Sequence, residues 1–255
     1  MNVLILAAGY ATRLGELTRN FPKPLLKVGG QTILDHLVER VREIPYLDSV
    51  YLVTNSRFFG HFQQWLHSRG TAAKGTGSAH IGLRFEILDD GTDSNESRLG
   101  AIGDIRFVLQ KRDIGSADLL VCASDNILEF SLADFISSVR SREASGICVY
   151  QNDDTADLRR RGVAEIDGTD RVVRFTEKPE EPASRWAAPP IYYYRKDVLP
   201  RIDEYLSNGG NPDAPGHLIE WLCASENVCA YRIPGAVIDI GNPESLSAAR
   251  KRLGE

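Results

Sequence analysis

Val3-Leu4-Ile5-Leu6-Ala7-Ala8-Gly9-Tyr10-Ala11-Thr12-Arg13 is the stretch that decides the fold class. Its unbroken apolar run, Val3 to Ala8, is what a strand buried on both faces requires. A glycine at the strand exit lets the backbone approach a ligand, its N–H groups can line an anion, and Arg13 brings a fixed positive charge. Further on, Phe21-Pro22-Lys23-Pro24 adds a second cation between two prolines. The loop matches neither the dinucleotide fingerprint nor the P-loop pattern, so residue chemistry alone leaves two readings: an anion site or a plain strand-to-loop turn.

Outward from this strand, strand and helix signals alternate. Ile33, Leu34, Leu37, Val38 and Val41 recur at helical spacing behind a Thr32/Asp35 capping box. Val50 to Thr54 reads as a buried strand, and Phe58, Phe59, Phe62, Trp65 and Leu66 form the stripe of a second helix. The rhythm continues through a strand at Phe85 to Leu88, a helix at Ala101 to Leu109, a strand at Leu119 to Ala123 and a helix at Leu132 to Arg142. Strands then dominate (Ile147 to Tyr150, Val163 to Ile166, Val172 to Phe175, Ile191 to Tyr194), before helices at Val198 to Leu206, His217 to Ala224 and Pro243 to Leu253. Asn242 is placed to cap the last of these, with Pro243 at its first position. The expectation is an α/β fold, a Rossmann-like mixed, mainly parallel sheet flanked by helices. A single domain over 1–255 is expected, with one half at about 1–130 and the other at about 131–255. Gly70 to Gly82 and Lys178 to Pro190, the latter holding Pro179, Pro182, Pro189 and Pro190, break the rhythm as loops.

The formal net charge is -5, and no Lys/Arg run is interleaved with aromatics, which argues against nucleic acid or a membrane as partner. The four cysteines contain no C-x-x-C pair and read as reduced core thiols. Met1-Asn2 leads into the first apolar run without a basic segment, and no apolar stretch approaches the ~18 residues of a membrane span. The expectation is a soluble cytoplasmic protein. The five histidines form no metal-binding spacing. Tyr192-Tyr193-Tyr194 should alternate faces of a strand, with one or two in the core and the rest facing a ligand pocket.

Open α/β sheets bind ligands at the C-terminal ends of their strands. Ser124-Asp125-Asn126 follows one apolar run directly, and its carboxylate reads either as a Mg²⁺ ligand or as a cap. Asp239 lies between Ile238 and Ile240, where an aspartate is uncommon unless paired or bound to metal.

Together these segments resemble the sugar-1-phosphate nucleotidyltransferase (NDP-sugar pyrophosphorylase) family. Its signature, L-A-x-G-x-G-T-R-L followed by P-K, is matched by Leu6 to Leu14 with Pro22-Lys23, except that Ala11 replaces the second glycine. The likeness extends through Asp125, Gly162, Glu177-Lys178-Pro179, Ile191-Tyr192 and Asp239-Ile240-Gly241, in order and spacing. Val237 replaces a frequent aromatic residue and Pro190 a usual glycine, which points to a sugar pocket unlike that of the glucose enzymes.

The resemblance implies transfer of a nucleoside monophosphate from an NTP to a sugar 1-phosphate, with Mg²⁺ as cofactor, a nucleotide-binding half at about 1–130 and a sugar-phosphate-binding half at about 131–255. It implies catalytic roles for Arg13, Lys23, Asp125, Lys178 and Asp239, with Asp125 and Asp239 binding the metal. Substrate contacts fall on Leu6, Ala7, Ala8, Gly9, Thr12, Asn126, Gly162, Glu177 and Tyr192, and base reading on Asn95, Arg98 and Gly100, where a capped helix start is the plainer account. Members are often dimers or tetramers, so a homo-oligomer is compatible with the family. The other classes weighed are a catalytically silent paralogue that binds nucleotide or sugar phosphate, and a glycosyltransferase, whose usual D-x-D motif is missing its first Asp at Ser124-Asp125-Asn126.

Overall fold

A computed structural model of the chain describes residues 1–10, 14–71 and 83–254. Ala11, Thr12 and Arg13, and residues 72–82 of the expected glycine-rich loop, lie outside the described residues. The chain forms two compact units. The first comprises Val3–Arg98, Ala123–Leu132 and Gly235–Glu255; the second comprises Met1–Asn2, Leu99–Cys122 and Ala133–Pro234. No single cut near residue 130 separates them.

In the first unit, strand Asn2–Leu6 is hydrogen-bonded to Ser49–Thr54, which runs parallel to Phe85–Asp89 with Val50 opposite Phe85 and Thr54 opposite Asp89. A parallel pair needs a crossover, and helix Ser56–Thr71 supplies it. Helix Ile33–Arg42 starts at the expected capping box: Thr32 Oγ1 accepts from the Asp35 N–H at 3.0 Å, and the Thr32 N–H donates to Asp35 Oδ2 at 3.0 Å. It buries Ile33, Leu34, Leu37, Val38 and Val41, the residues picked out by the periodicity. Helix Pro243–Arg252 is capped by Asn242 with proline at its first position, also as expected.

Four short strands in this unit have no counterpart in the sequence reading, and Lys27–Val28 pairs antiparallel with Gln31–Thr32. Asn126–Leu128 pairs antiparallel with Val237–Asp239, placing Asp239 opposite Asn126. Three residues are too few to show alternation. The pair is anchored by a cluster of Ile127, Ile240, Val28, Ile33, Leu246 and Ala249, with Ile238 packed against it.

The second unit has a mixed sheet whose strands run Val172–Glu177, Gly162–Ile166, Trp186–Ala188, Ser145–Gln151 and Ile191–Tyr194, the last antiparallel to Leu119–Ala123. Val228–Arg232, another strand without a sequence-based counterpart, runs parallel to Ser145–Gln151. The expected loop at Lys178 to Pro190 contains strand Trp186–Ala188, paired on both edges. The tyrosines also depart from expectation: Tyr192, Tyr193 and Tyr194 are all buried, because both faces of this strand are covered. Tyr193 keeps its hydroxyl satisfied by donating to Asp118 and accepting from Arg140.

Candidate active site

The exit of the first strand is held from behind by three polar side chains. Ser124 donates to the Leu6 carbonyl through Oγ at 2.7 Å and through its N–H at 3.1 Å. Thr54 Oγ1 donates to the Ala7 carbonyl at 3.2 Å, and Asn55 Nδ2 to the Ala8 carbonyl at 2.9 Å. Asn55, fully buried, also accepts from the Phe58 N–H at 3.0 Å through Oδ1, so one side chain caps helix Ser56–Thr71 and fixes the loop. The carbonyls are thereby committed to the protein. Among the described residues no acceptor bonds the N–H groups of Ala8 and Gly9, and a Cβ on Gly9 would meet nothing within 4 Å. A backbone with its acceptors tied back and its donors unused is suited to an anion. Leu6, Ala7, Ala8 and Gly9, named in the sequence reading, make up this strand exit.

A charged centre lies in the same unit. The Lys23–Leu25 turn is set by buried Pro22 and Pro24, and from it Lys23 Nζ reaches Asp125 Oδ2 at 2.5 Å. Asn126 Nδ2 donates to the other oxygen, Asp125 Oδ1, at 2.8 Å. The Asp125 carbonyl accepts from the Ile240 N–H at 3.0 Å, which joins this strand end to the one carrying Asp239. A Cβ on Gly241 would lie 3.8 Å from both Asp239 carboxylate oxygens, in ordinary contact. Lys23, Asp125, Asn126 and Asp239, distant in sequence, are thus collected by the short antiparallel pair. Asn126 Oδ1 is buried and has no hydrogen-bond donor among the described residues.

The expected base-reading residues divide. Asn95 lines a cavity of about 440 Å³ together with Tyr10, Gly15, Glu16, Arg57 and Asp93. The Tyr10 hydroxyl lies 3.4 Å from Thr92 Oγ1, and Thr92 donates to Asp90 Oδ1 through both N–H and hydroxyl. Arg98 Nη1 donates to the Asn95 carbonyl at 3.1 Å. Gly100 belongs to the second unit, with φ 78° and a hypothetical Cβ only 2.5 Å from the Pro212 carbonyl oxygen. The N–H groups of Ala101 and Ile102 are bonded to the Asp213 and Pro212 carbonyls, so packing and helix capping account for this glycine.

In the second unit Gly162, Glu177 and Lys178 converge, with Gly216 as an addition, and the Glu177 charge acts on the buried Tyr192 hydroxyl. Gly162 faces Glu177 across the ladder of Gly162–Ile166 and Val172–Glu177. A Cβ on Gly216 would fall 1.9 Å from Glu177 Oε2, and one on Gly162 would fall 3.2 Å from it and 2.3 Å from the Phe175 ring. The two glycines together make room for the carboxylate. Lys178 takes φ 52°, uncommon outside glycine, and its Nζ is 4.0 Å from Glu177 Oε1. Gly216 is absent from the sequence reading because a glycine before an apolar helical stripe looks like an ordinary helix boundary.

Burial pushes the Glu177 carboxyl above the usual carboxylate range, offset in part by Lys178 and His217. The folded protein therefore holds this proton more tightly than the unfolded chain. The stabilisation by the neutral acid is fully present below about pH 4.3 and is lost as pH rises through the raised folded value. Glu177→Gln is accordingly expected to melt higher than the parent at pH 7, with the difference vanishing near pH 4. Paired thermal melts at the two pH values check this, and equal melting at pH 7 would refute it.

A strand-end glycine loop whose Ala8 and Gly9 amides have no acceptor among the described residues, beside a lysine–carboxylate centre, has the donors and charge that suit a phosphate in an α/β fold. The chain belongs to the nucleotidyl transferase family, whose model matches residues 2–255. It is 26% identical over 260 aligned residues to a bifunctional protein GlmU from Methanocaldococcus jannaschii, covering 99% of this chain and 54% of the relative. It is 28% identical over 248 aligned residues to a protein named as a probable mannose-1-phosphate guanylyltransferase from Oryza sativa subsp. japonica, covering 95% of this chain and 62% of the relative. The chain thus spans little more than half the length of such relatives. Its fold matches a UDP-glucose pyrophosphorylase crystallised with UDP-glucose at a TM-score of 0.79 and 19% identity, covering 98% of this chain and 97% of that one.

Proposed function

We propose that this chain transfers a nucleoside monophosphate from an NTP to a sugar 1-phosphate, releasing pyrophosphate and an NDP-sugar. The observation that carries the reading is the Lys23–Asp125 contact, set at a strand end whose partner strand presents Asp239. The names of relatives, a mannose-1-phosphate guanylyltransferase and a UDP-glucose pyrophosphorylase among them, agree with that chemistry.

Nucleotide and cation are assigned to the first unit, and the sugar phosphate to Gly162, Glu177, Lys178 and Tyr192 of the second. Ala8 and Gly9 offer main-chain donors to the nucleotide, while Lys23 neutralises phosphate charge. Thr12 and Arg13, outside the described residues, keep their assignment to the triphosphate from the sequence. Lys178 takes the phosphate of the sugar 1-phosphate. Glu177, a carboxylate with no hydrogen-bond donor among the described residues, accepts from sugar hydroxyls.

The donor set fits Mg²⁺. Asp125 already holds one cation, the Lys23 ammonium, and two carboxylates with the remaining oxygens drawn from phosphates and water suit this ion. Bound there, Mg²⁺ would neutralise charge on the α-phosphate and the departing pyrophosphate. A sugar 1-phosphate is largely dianionic near pH 7, its second pKa being about 6, so its oxygen needs no general base to attack. The protein's task is alignment and charge neutralisation. Unbridged cysteines and the acidic charge balance support a cytoplasmic setting without a membrane or nucleic-acid partner; no described helix is long and apolar enough to cross a membrane.

The test is a matrix of the common NTPs against hexose, aminohexose and heptose 1-phosphates with Mg²⁺, read as pyrophosphate released. At least one pair is expected to turn over. Nucleotide binding with no release for any pair would instead indicate a catalytically silent paralogue.

A further inference from the structure

Lys23 is held in an unusual way for a residue assigned to nucleotide phosphate. Its ammonium is mostly buried, its side chain only 12% exposed, and among the described residues its partner is Asp125 Oδ2 alone. The Lys23 backbone is fixed between Pro22 and Pro24, and the Leu26 N–H closes the turn onto the Lys23 carbonyl at 3.0 Å, so only the flexible side chain can move. Asn126 Nδ2 meanwhile pins Asp125 Oδ1, which leaves Oδ2 as the oxygen that exchanges partners.

A lysine ammonium and a divalent cation cannot both sit in contact with Oδ2 without strong repulsion across a half-buried site. We propose that Lys23 is a resident counter-cation: it occupies Asp125 in the metal-free protein, and nucleotide phosphates, by accepting its ammonium, vacate the carboxylate for the divalent cation. This rests on the reading of Asp125 as a cation ligand and adds an order to it. The cation alone binds weakly, while cation and nucleotide strengthen each other's binding. A lysine suits the role better than an arginine, because a compact ammonium on a flexible stem exchanges acceptors readily whereas a planar guanidinium locks onto a carboxylate through two hydrogen bonds.

The experiment is Mn²⁺ titration of the nucleotide-free protein, with free Mn²⁺ followed by electron paramagnetic resonance, for the parent, Lys23→Met, Lys23→Gln, Lys23→Arg and Lys23→Met combined with Asp125→Asn. The two neutral variants are expected to bind Mn²⁺ about tenfold more tightly than the parent. Lys23→Arg should stay at or below parental affinity, and the double variant should lose the gain. Circular dichroism identifies any variant that fails to fold, and having two neutral replacements keeps the comparison usable. Parental or weaker Mn²⁺ affinity in folded Lys23→Met or Lys23→Gln overturns the counter-cation role while leaving Asp125 as a ligand. Absence of binding in every protein overturns the cation site itself, and this inference with it.

Discussion

Asp125→Asn is expected to lower the rate of pyrophosphate release by about 10²–10³-fold, the scale for removing one preorganised electrostatic contact from a charged transition state. Asparagine keeps the shape and can still accept from Lys23, so the short strand pair and its Ile127–Ile240 packing should survive. The loss should therefore appear in turnover with little change in thermal melting. Mn²⁺ affinity in the presence of nucleotide should fall in parallel. Unchanged turnover in Asp125→Asn would remove this carboxylate from the mechanism, whatever else the site does.

Asn55→Ala is expected to be the most destabilising substitution around the loop. It strands the buried Ala8 carbonyl, at about 1–3 kcal/mol, and removes the side-chain cap of helix Ser56–Thr71, at about 1 kcal/mol, leaving the Phe58 N–H only its 3.2 Å bond to the Asn55 carbonyl. The sum, about 2–4 kcal/mol, corresponds to a drop in melting temperature of roughly 5–15 °C for a chain of this size. Asn55→Asp is the informative companion, because it can still accept from Phe58 but cannot donate to Ala8. Its carboxylate oxygen would face the Ala8 carbonyl in a fully buried site, so the aspartate variant should keep the helix cap without recovering the stability, and should share a raised KM for NTP if Asn55 positions the loop. Thermal melts with steady-state kinetics separate the two effects, and parental melting of Asn55→Ala would show that the loop is not held this way.

Features determined by local physics were legible in the sequence. The apolar run from Val3, the Thr32/Asp35 box and the Asn242-Pro243 cap each depend on residues a few positions apart, and each formed as expected. Asp125 and Asp239 could be found because one follows a strand directly and the other interrupts an apolar run. What could not be read was which distant segments would meet. Nothing local in Asn126–Leu128 specifies Val237–Asp239 as its partner, yet that pairing joins the two aspartate-bearing segments.

Ser124, Thr54 and Asn55 show the same limit. Each is a polar residue at the end of an apolar run, the position that drew attention to Asp125, but which carbonyl each would bind depends on tertiary neighbours. Gly100 and Gly216 show the limit from two sides. The first was assigned by motif position and closely approaches the Pro212 carbonyl, whereas the second carries no motif and makes the space for Glu177. A glycine's role depends on what a side chain there would strike, and sequence does not show that.

The central claim is that this chain moves a nucleotidyl group through an Asp125-centred site. The most direct test follows an NTP labelled with ³²P at the α-phosphorus, mixed with Mg²⁺ and a sugar 1-phosphate that turns over, in parental protein and Asp125→Asn side by side. The account predicts label in the NDP-sugar, at a rate about 10²–10³-fold lower in the variant. Label that stays in the NTP for every sugar 1-phosphate offered, or reaches product equally fast in both proteins, would contradict it.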